Sequence, residues 1–282
     1  MPTIDLPHGT LNYRFAGLPD ATGSPVVFVH GVLVDGTLWT GVADRLAARG
    51  IKSYAPDLPL GAHRLPVNAD ADQSPRGVAK QVIAFIEALG LEDVTLVGND
   101  TGGAICQFLV DTDPRRIGRL VLTNCDALDK FPPFPFNIVF HIAKSPTWAK
   151  LLLGPMRFTV IRHSPLAFGL LARRFDAAQT TAWLEPARAN KAIRRDLARF
   201  LRTVDAKDLV DVATRLDRFD GPVTLVWGAA ARGFTVTLGR RLADKFRSAK
   251  FVELKGAKTF VSLDEPDRLA DEIAAARLVH IG

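Results

Sequence analysis

The chain has little sulfur and almost no phenol. Of 282 residues, two are cysteine, two methionine and two tyrosine. Cys106 and Cys125 both sit in apolar runs, which reads as small buried hydrophobes in a reducing compartment rather than as a disulfide or a reactive thiol. No apolar run reaches the roughly 18 residues a membrane span needs. The opening MPTIDLP lacks the basic segment and apolar core of a secretion signal. The expectation is a soluble cytoplasmic protein with no membrane partner. No internal repeat or low-complexity tract is present, and no His/Cys/Asp cluster has metal-ligand spacing. No glycine-rich dinucleotide fingerprint occurs either, because the glycines of residues 98–103 bracket an acid where a phosphate would approach. Neither metal nor cofactor is expected. The formal charge of +6 comes from scattered basic residues without interleaved aromatics, so nucleic acid is not an expected partner.

What the chain does have is alternation. Residues 9–15 alternate in polarity as an antiparallel strand does, and residues 26–29 (VVFV) are continuously apolar, as a strand covered on both faces must be. A helix over 39–48, a strand over 52–55 and an amphipathic helix over 75–89 come next, the last with Val78, Val82, Phe85 and Ile86 on one side. Further strands read at 94–97, 120–123, 222–227 and 250–254, with helices after residues 100, 235 and 265. This order implies a mostly parallel sheet flanked by helices, an α/β fold. Between 131 and 216 the strand signal vanishes and helical periodicity with many aromatics replaces it. The expected division is a core of 1–130 and 217–282 interrupted by a helical lid of 131–216.

One stretch carries chemistry. In VTLVGNDTGGA (94–104), Gly98 and Gly102 flank Asp100 at a strand-to-helix corner, a sharp turn that points its central side chain outward. The plainer reading is an aspartate that caps the helix. Together with His30-Gly31-Val32 after the buried strand and Leu263-Asp264-Glu265-Pro266 before the last helix, the chain resembles the α/β-hydrolase superfamily over nearly its whole length. An aspartate at the elbow resembles its haloalkane dehalogenase and epoxide hydrolase branch. The resemblance implies Asp100 as a nucleophile that forms an ester with its substrate. It also implies an oxyanion hole from the backbone N–H groups of Val32 and Thr101.

The resemblance breaks at specific places. Thr259 stands where the family carries its water-activating histidine, and a threonine is no general base near neutral pH. Alanines at 229–231 replace the usual acid after the next-to-last strand, which leaves Asp126, at the alternative acid position. Thr101 replaces the tryptophan of the dehalogenase halide site, and no tyrosine falls in the lid to activate an epoxide. Phe136, His141, Trp148 and Trp183 of the lid are the candidate substrate-binding residues over Asp100, and His163 is a further lid histidine that could face the pocket. The resulting expectation is hydrolysis of a small or medium apolar epoxide, ester or halide through an altered triad. A cofactor-independent lyase, isomerase or cyclase with Asp100 as proton shuttle is the alternative, and a ligand-binding pseudoenzyme is the third reading.

Overall fold

The computed structural model describes residues 1–134 and 136–279; His280, expected at the surface, lies outside them. Eight strands form one sheet: β1 (Thr3–Leu6), β2 (Gly9–Ala16), β3 (Val26–Val29), β4 (Ser53–Pro56), β5 (Val94–Asp100), β6 (Ile117–Cys125), β7 (Val223–Gly228) and β8 (Ala249–Leu254). Their order is β1-β2-β4-β3-β5-β6-β7-β8. β2 is antiparallel to both its neighbours, and every pairing from β4 to β8 is parallel. The fold is that of the α/β hydrolases. β1 was not anticipated from sequence: four residues with alternating exposure at the sheet edge are too few to display a period.

Helices cover both faces, which is why the inner strands are apolar without alternation. On one face lie α2 (Pro75–Ala88), which buries Val78, Val82, Phe85 and Ile86, and α3 (Thr101–Thr112). Ser74 caps α2 by accepting the Gly77 N–H, and Pro75 occupies the first turn, where its missing N–H costs nothing. On the other face are α1 (Thr40–Ala47) and α12 (Pro266–Leu278), packed on each other, with Phe28 of β3 stacked on Trp39 at 4.8 Å.

Between β6 and β7 the chain is helical: α4 (Phe136–Ile142), α5 (Pro146–Leu153), α6 (Thr159–Arg162), α7 (Ala177–Ala189), α8 (Lys191–Thr203) and α9 (Ala206–Val212). Buried polar contacts fasten this segment to the sheet domain. Trp183 of α7 donates its indole N–H to Asp35 at 3.0 Å and to Thr37 at 2.7 Å. Asp196 of α8, fully buried, accepts from the Val67 N–H and from His63. Arg162, also buried, is satisfied inside the lid by the carbonyls of Met156, Arg157 and Ala177 and by three threonine hydroxyls. α9 packs against α3, so the chain is back against the core before β7 begins. After β7 come α10 (Val236–Ala243), β8, α11 (Val261–Asp264) and α12.

Register positions the site. Val29 pairs with Gly98 and Asp100 with Cys125, so the His30-Gly31 turn, the elbow and Asp126 converge at the carboxyl ends of neighbouring parallel strands. Ligands of open α/β sheets bind at this edge.

Candidate active site

Asp100 has φ 55° and ψ −133°, a conformation that costs a non-glycine residue about 1–3 kcal/mol. The surrounding glycines explain how it is held. A Cβ on Gly102 would lie 2.2 Å from the Val29 carbonyl oxygen, and one on Gly98 would lie 2.7 Å from Cys106 Sγ. A Cβ on Gly103 would meet Cys125 at 2.3 Å, so α3 can sit this close to β3 and β6 only without side chains there. A Cβ on Gly31 would meet Asp100 Oδ2 at 2.3 Å, which puts the carboxyl directly against the HGV turn. The capping reading fails: Asp100 makes no side-chain capping hydrogen bond to α3.

Asp100 borders a cavity of about 290 Å³ between sheet and lid. Among the described residues, the others that line it are apolar except Ser164, and Asp100 is the only titratable group. Burial pushes its carboxyl from 3.8 up to about 7, against the pull of the Thr101 N–H. Asp126 is fully buried beside it. Its backbone N–H donates to the Asp100 carbonyl at 3.3 Å, its Oδ2 accepts from the Thr101 hydroxyl at 2.9 Å, and its Oδ1 has no partner among the described residues. Burial first, and the charge of Asp100 second, hold the Asp126 carboxyl well above the usual carboxylate range. Because the charge of Asp100 opposes ionisation of Asp126, the two titrate as a pair.

A polar clamp fixes the strand ends beneath them. Asn99 donates to the Thr123 hydroxyl at 2.8 Å, the Asn124 carbonyl at 3.2 Å and the Thr259 carbonyl at 2.8 Å. Asn124 in turn donates to the carbonyls of Gly228 and Phe234 and accepts the Gly228 N–H. Asn99 ties the loop after β8 to the elbow through a backbone carbonyl, a role a side-chain motif search does not reveal, although Asn99 lies inside the elbow sequence.

Of the anticipated site residues, Val32, Asp100 and Phe136 line the cavity, Thr101 links Asp100 to Asp126, and Thr259 is buried beneath the elbow. Three lid assignments need correction. Trp183 is spent on Asp35 and Thr37 and stands behind the cavity wall, its ring edge-on to Phe168 at 5.6 Å. Trp148 and His141 are exposed on the outer side of the lid and do not line the cavity. A helical period cannot say which of two apolar faces turns inward, and here α4 and α5 are apolar on both. The residues that do line the lid side include Val139, Phe140, Leu152, Met156, Ile161 and Ser164, which carry no individual signal in sequence.

No histidine lines the cavity among the described residues. His30 Nε2 accepts the Leu58 N–H at 2.8 Å, so its proton sits on Nδ1, against the Gly31 carbonyl at 2.8 Å; burial lowers its pKa to about 4 and keeps it neutral. His63 is held between the Gly61 N–H and Asp196, and His163 is bonded to the Thr180 hydroxyl at 2.9 Å. His30 and His63 are framework residues of the sheet domain, and His163 is one of the lid.

A family model described as the alpha/beta hydrolase family matches residues 26–272. The chain belongs to that family. Among its relatives is an uncharacterized protein of Mycobacterium tuberculosis, 32% identical over 134 residues, an alignment that covers 48% of this chain and 36% of that protein. The 2-hydroxy-6-oxononadienedioate/2-hydroxy-6-oxononatrienedioate hydrolase of Paraburkholderia xenovorans is 27% identical over 249 residues, covering 85% of this chain and 81% of the relative. Haloalkane dehalogenase 2 of Mycobacterium bovis is 25% identical over 286 residues, covering 96% and 92%. Among solved structures, an epoxide hydrolase (CorEH) superposes with a TM-score of 0.78 at 19% identity, covering 97% and 96% of the two chains, which shows the shared fold. Against that family pattern, the alanines of 229–231 are held by backbone bonds alone, Ala229 to the Leu254 carbonyl and Ala230 to that of Ala257.

Proposed function

We propose that this family member hydrolyses an uncharged apolar electrophile, an epoxide, ester or alkyl halide, by covalent catalysis at Asp100. The observation that carries the reading is Asp100 itself, the lone titratable group on an apolar cavity, held at a strained corner with the Thr101 N–H beside it. A poorly solvated carboxylate there is a strong nucleophile. For an epoxide or halide, its oxygen bonds to carbon as the carbon–oxygen or carbon–halogen bond breaks; the epoxide oxygen takes a proton from water to become a hydroxyl, or the halide departs to solvent, and the product is an ester on Asp100. Water then adds to the ester carbonyl, and the alkyl oxygen leaves as the alcohol with a proton.

The base for that second step is Asp126. While Asp100 is ionised, its charge helps hold Asp126 protonated; once Asp100 is an ester that repulsion is gone, and Asp126 more readily gives its proton to solvent and becomes the carboxylate that takes a proton from the attacking water. The cavity wall has no cation to match the two carboxylates of an oxononadienedioate, so the substrate of that relative is not carried over.

The test is turnover in H₂¹⁸O with candidate epoxides, halides and activated esters, followed by mass analysis of the peptide that contains Asp100. Attack of water on the enzyme ester places one ¹⁸O in the Asp100 carboxyl, and Asp100→Asn stops turnover. A second reading, non-hydrolytic proton shuttling, is favoured by the value near 7 for Asp100, matched to acid–base work at neutral pH. Under that reading neither Asp100 nor the product takes up label.

A further inference from the structure

Nine of the fifteen exposed large hydrophobic side chains among the described residues fall between 134 and 166, about an eighth of the chain. Ile161 and Leu166 border the cavity, and the other seven are exposed away from it. α4 turns Phe140 inward and leaves Ile138 and Ile142 outside, one helical turn apart. α5 buries Ala149 and Leu153 and leaves Trp148 and Leu151 outside. Phe158 and Val160 continue the surface into α6; Val160 is 85% exposed. α4 contacts α5, and the turn at 155–157 contacts both α5 and α6, so the elements that carry these side chains are neighbours.

Charge selects the occupant. Residues 130–175 contain seven lysines and arginines and no aspartate or glutamate. Arg162 is buried, Lys130 pairs with Asp129 and Arg173 with Asp264 and Glu265, which leaves Lys144, Lys150, Arg157 and Arg174. Lys150 and Arg157 stand exposed among the apolar residues, Arg157 over the Phe158 ring at 4.6 Å. A two-fold pairing with a second copy would set this acid-free surface against itself. We infer that the outer side of the lid docks on an anionic lipid bilayer surface, with apolar side chains in the interface and the cations at the headgroups. No helix among the described residues is long and apolar enough to cross a membrane, which concerns crossing and not lying on one. Inner and outer sides of α4 and α5 thus serve different ends: one walls the cavity over Asp100, the other meets the membrane from which an apolar molecule could enter.

Trp148 supplies the reporter, because it is exposed while Trp39, Trp183 and Trp227 are fully buried. The full chain is titrated with phosphatidylcholine vesicles with and without phosphatidylglycerol, with sedimentation and tryptophan emission as readouts. Expected are binding at least about tenfold tighter to the anionic vesicles, loss with added salt, a blue shift of Trp148 and its quenching by brominated lipid. Lys150→Glu with Arg157→Glu removes the preference for anionic lipid. Leu151→Ser with Phe158→Ser weakens binding while the melting temperature holds, since both side chains are exposed. Absence of binding to anionic vesicles, or binding with Trp148 emission unmoved, overturns the inference. Concentration-dependent self-association that buries Trp148 without lipid would also overturn it. None of these readouts contains a catalytic step, so the surface and the chemistry at Asp100 stand or fall separately.

Discussion

Replacing Asp100 with asparagine should stabilise the protein, and only above a definite pH. Burial raises the Asp100 carboxyl from 3.8 to about 7. Between those values the folded protein keeps a proton that the unfolded chain releases, so folding stability falls as pH rises through this window and levels off above about 7. Three pH units correspond to about 4 kcal/mol, and relaxation of the site around the charge brings the cost toward about 2 kcal/mol. The asparagine amide carries no charge and keeps nearly the same shape as the carboxyl. Asp100→Asn and the parent chain should therefore unfold together near pH 4. At pH 8 the variant should be about 2–4 kcal/mol more stable, with a melting temperature higher by about 4–8 °C. Urea unfolding at both pH values, with thermal melts in parallel, measures this. Equal stability at pH 8 would mean that the carboxylate is well solvated and that the cavity does not enclose it. A difference of the same size at both pH values would assign the effect to the corner's backbone instead of its charge.

The remaining expectations concern how the corner is held and how its acidity governs reactivity. Gly31→Ala places a methyl group against the Asp100 carboxyl and should lower turnover at least about 100-fold while the fold survives, read by kcat/KM beside a melt. Asn99→Leu removes three hydrogen bonds from the clamp and should cost about 2–4 kcal/mol in urea unfolding; a loss under about 1 kcal/mol would mean the loop after β8 is held by other contacts. If Asp100 attacks as the carboxylate, the single-turnover alkylation rate should rise with pH and level off above about 7, whereas a rate that falls across that range would identify the protonated acid as the working form. Thr259→His should shorten the lifetime of the Asp100 ester in a chase experiment, at about 1–3 kcal/mol of stability for the extra volume in a buried site.

The sheet was legible because its signals are local. A strand covered on both faces must be apolar throughout, as residues 26–29 are, and a corner packed this tightly against its neighbours must be glycine, as at 98, 102 and 103. The aspartate at the corner could be read for the same reason. What escaped was relational. Whether Trp183 meets a ligand or Asp35 depends on a partner 148 positions away, and nothing near Trp183 in the chain records it. The two-sided apolar helices α4 and α5 defeat an argument that assumes one buried side, and so Trp148 and His141 were assigned to the wrong side of the lid. Asn99 acts through the carbonyl of Thr259, a backbone atom any residue at 259 would offer, so sequence cannot mark it.

The histidine position therefore has a structural meaning beyond the lost base. The loop that would present a histidine is in place: its carbonyl is bonded to Asn99, its neighbour Phe260 is packed in the core, and Lys258 is anchored to the Gly169 carbonyl at 2.7 Å. Only the side chain differs, and with it the balance between the two halves of a covalent hydrolysis. On the proposed mechanism, attack on the substrate uses the buried Asp100 carboxyl at its strained corner with the Thr101 N–H beside it. Breakdown of the ester needs a base near the acyl carbon. The buried carboxyl linked to the elbow by the Thr101 hydroxyl is Asp126, whose protonation is coupled to the charge on Asp100. On the proposed mechanism the loss of the Asp100 charge lets Asp126 ionise more readily, so the base becomes available only after the ester forms, while burial still opposes it. An enzyme that relies on it should accumulate its alkyl intermediate, since ester breakdown then depends on a buried carboxyl where imidazole would serve better near neutral pH.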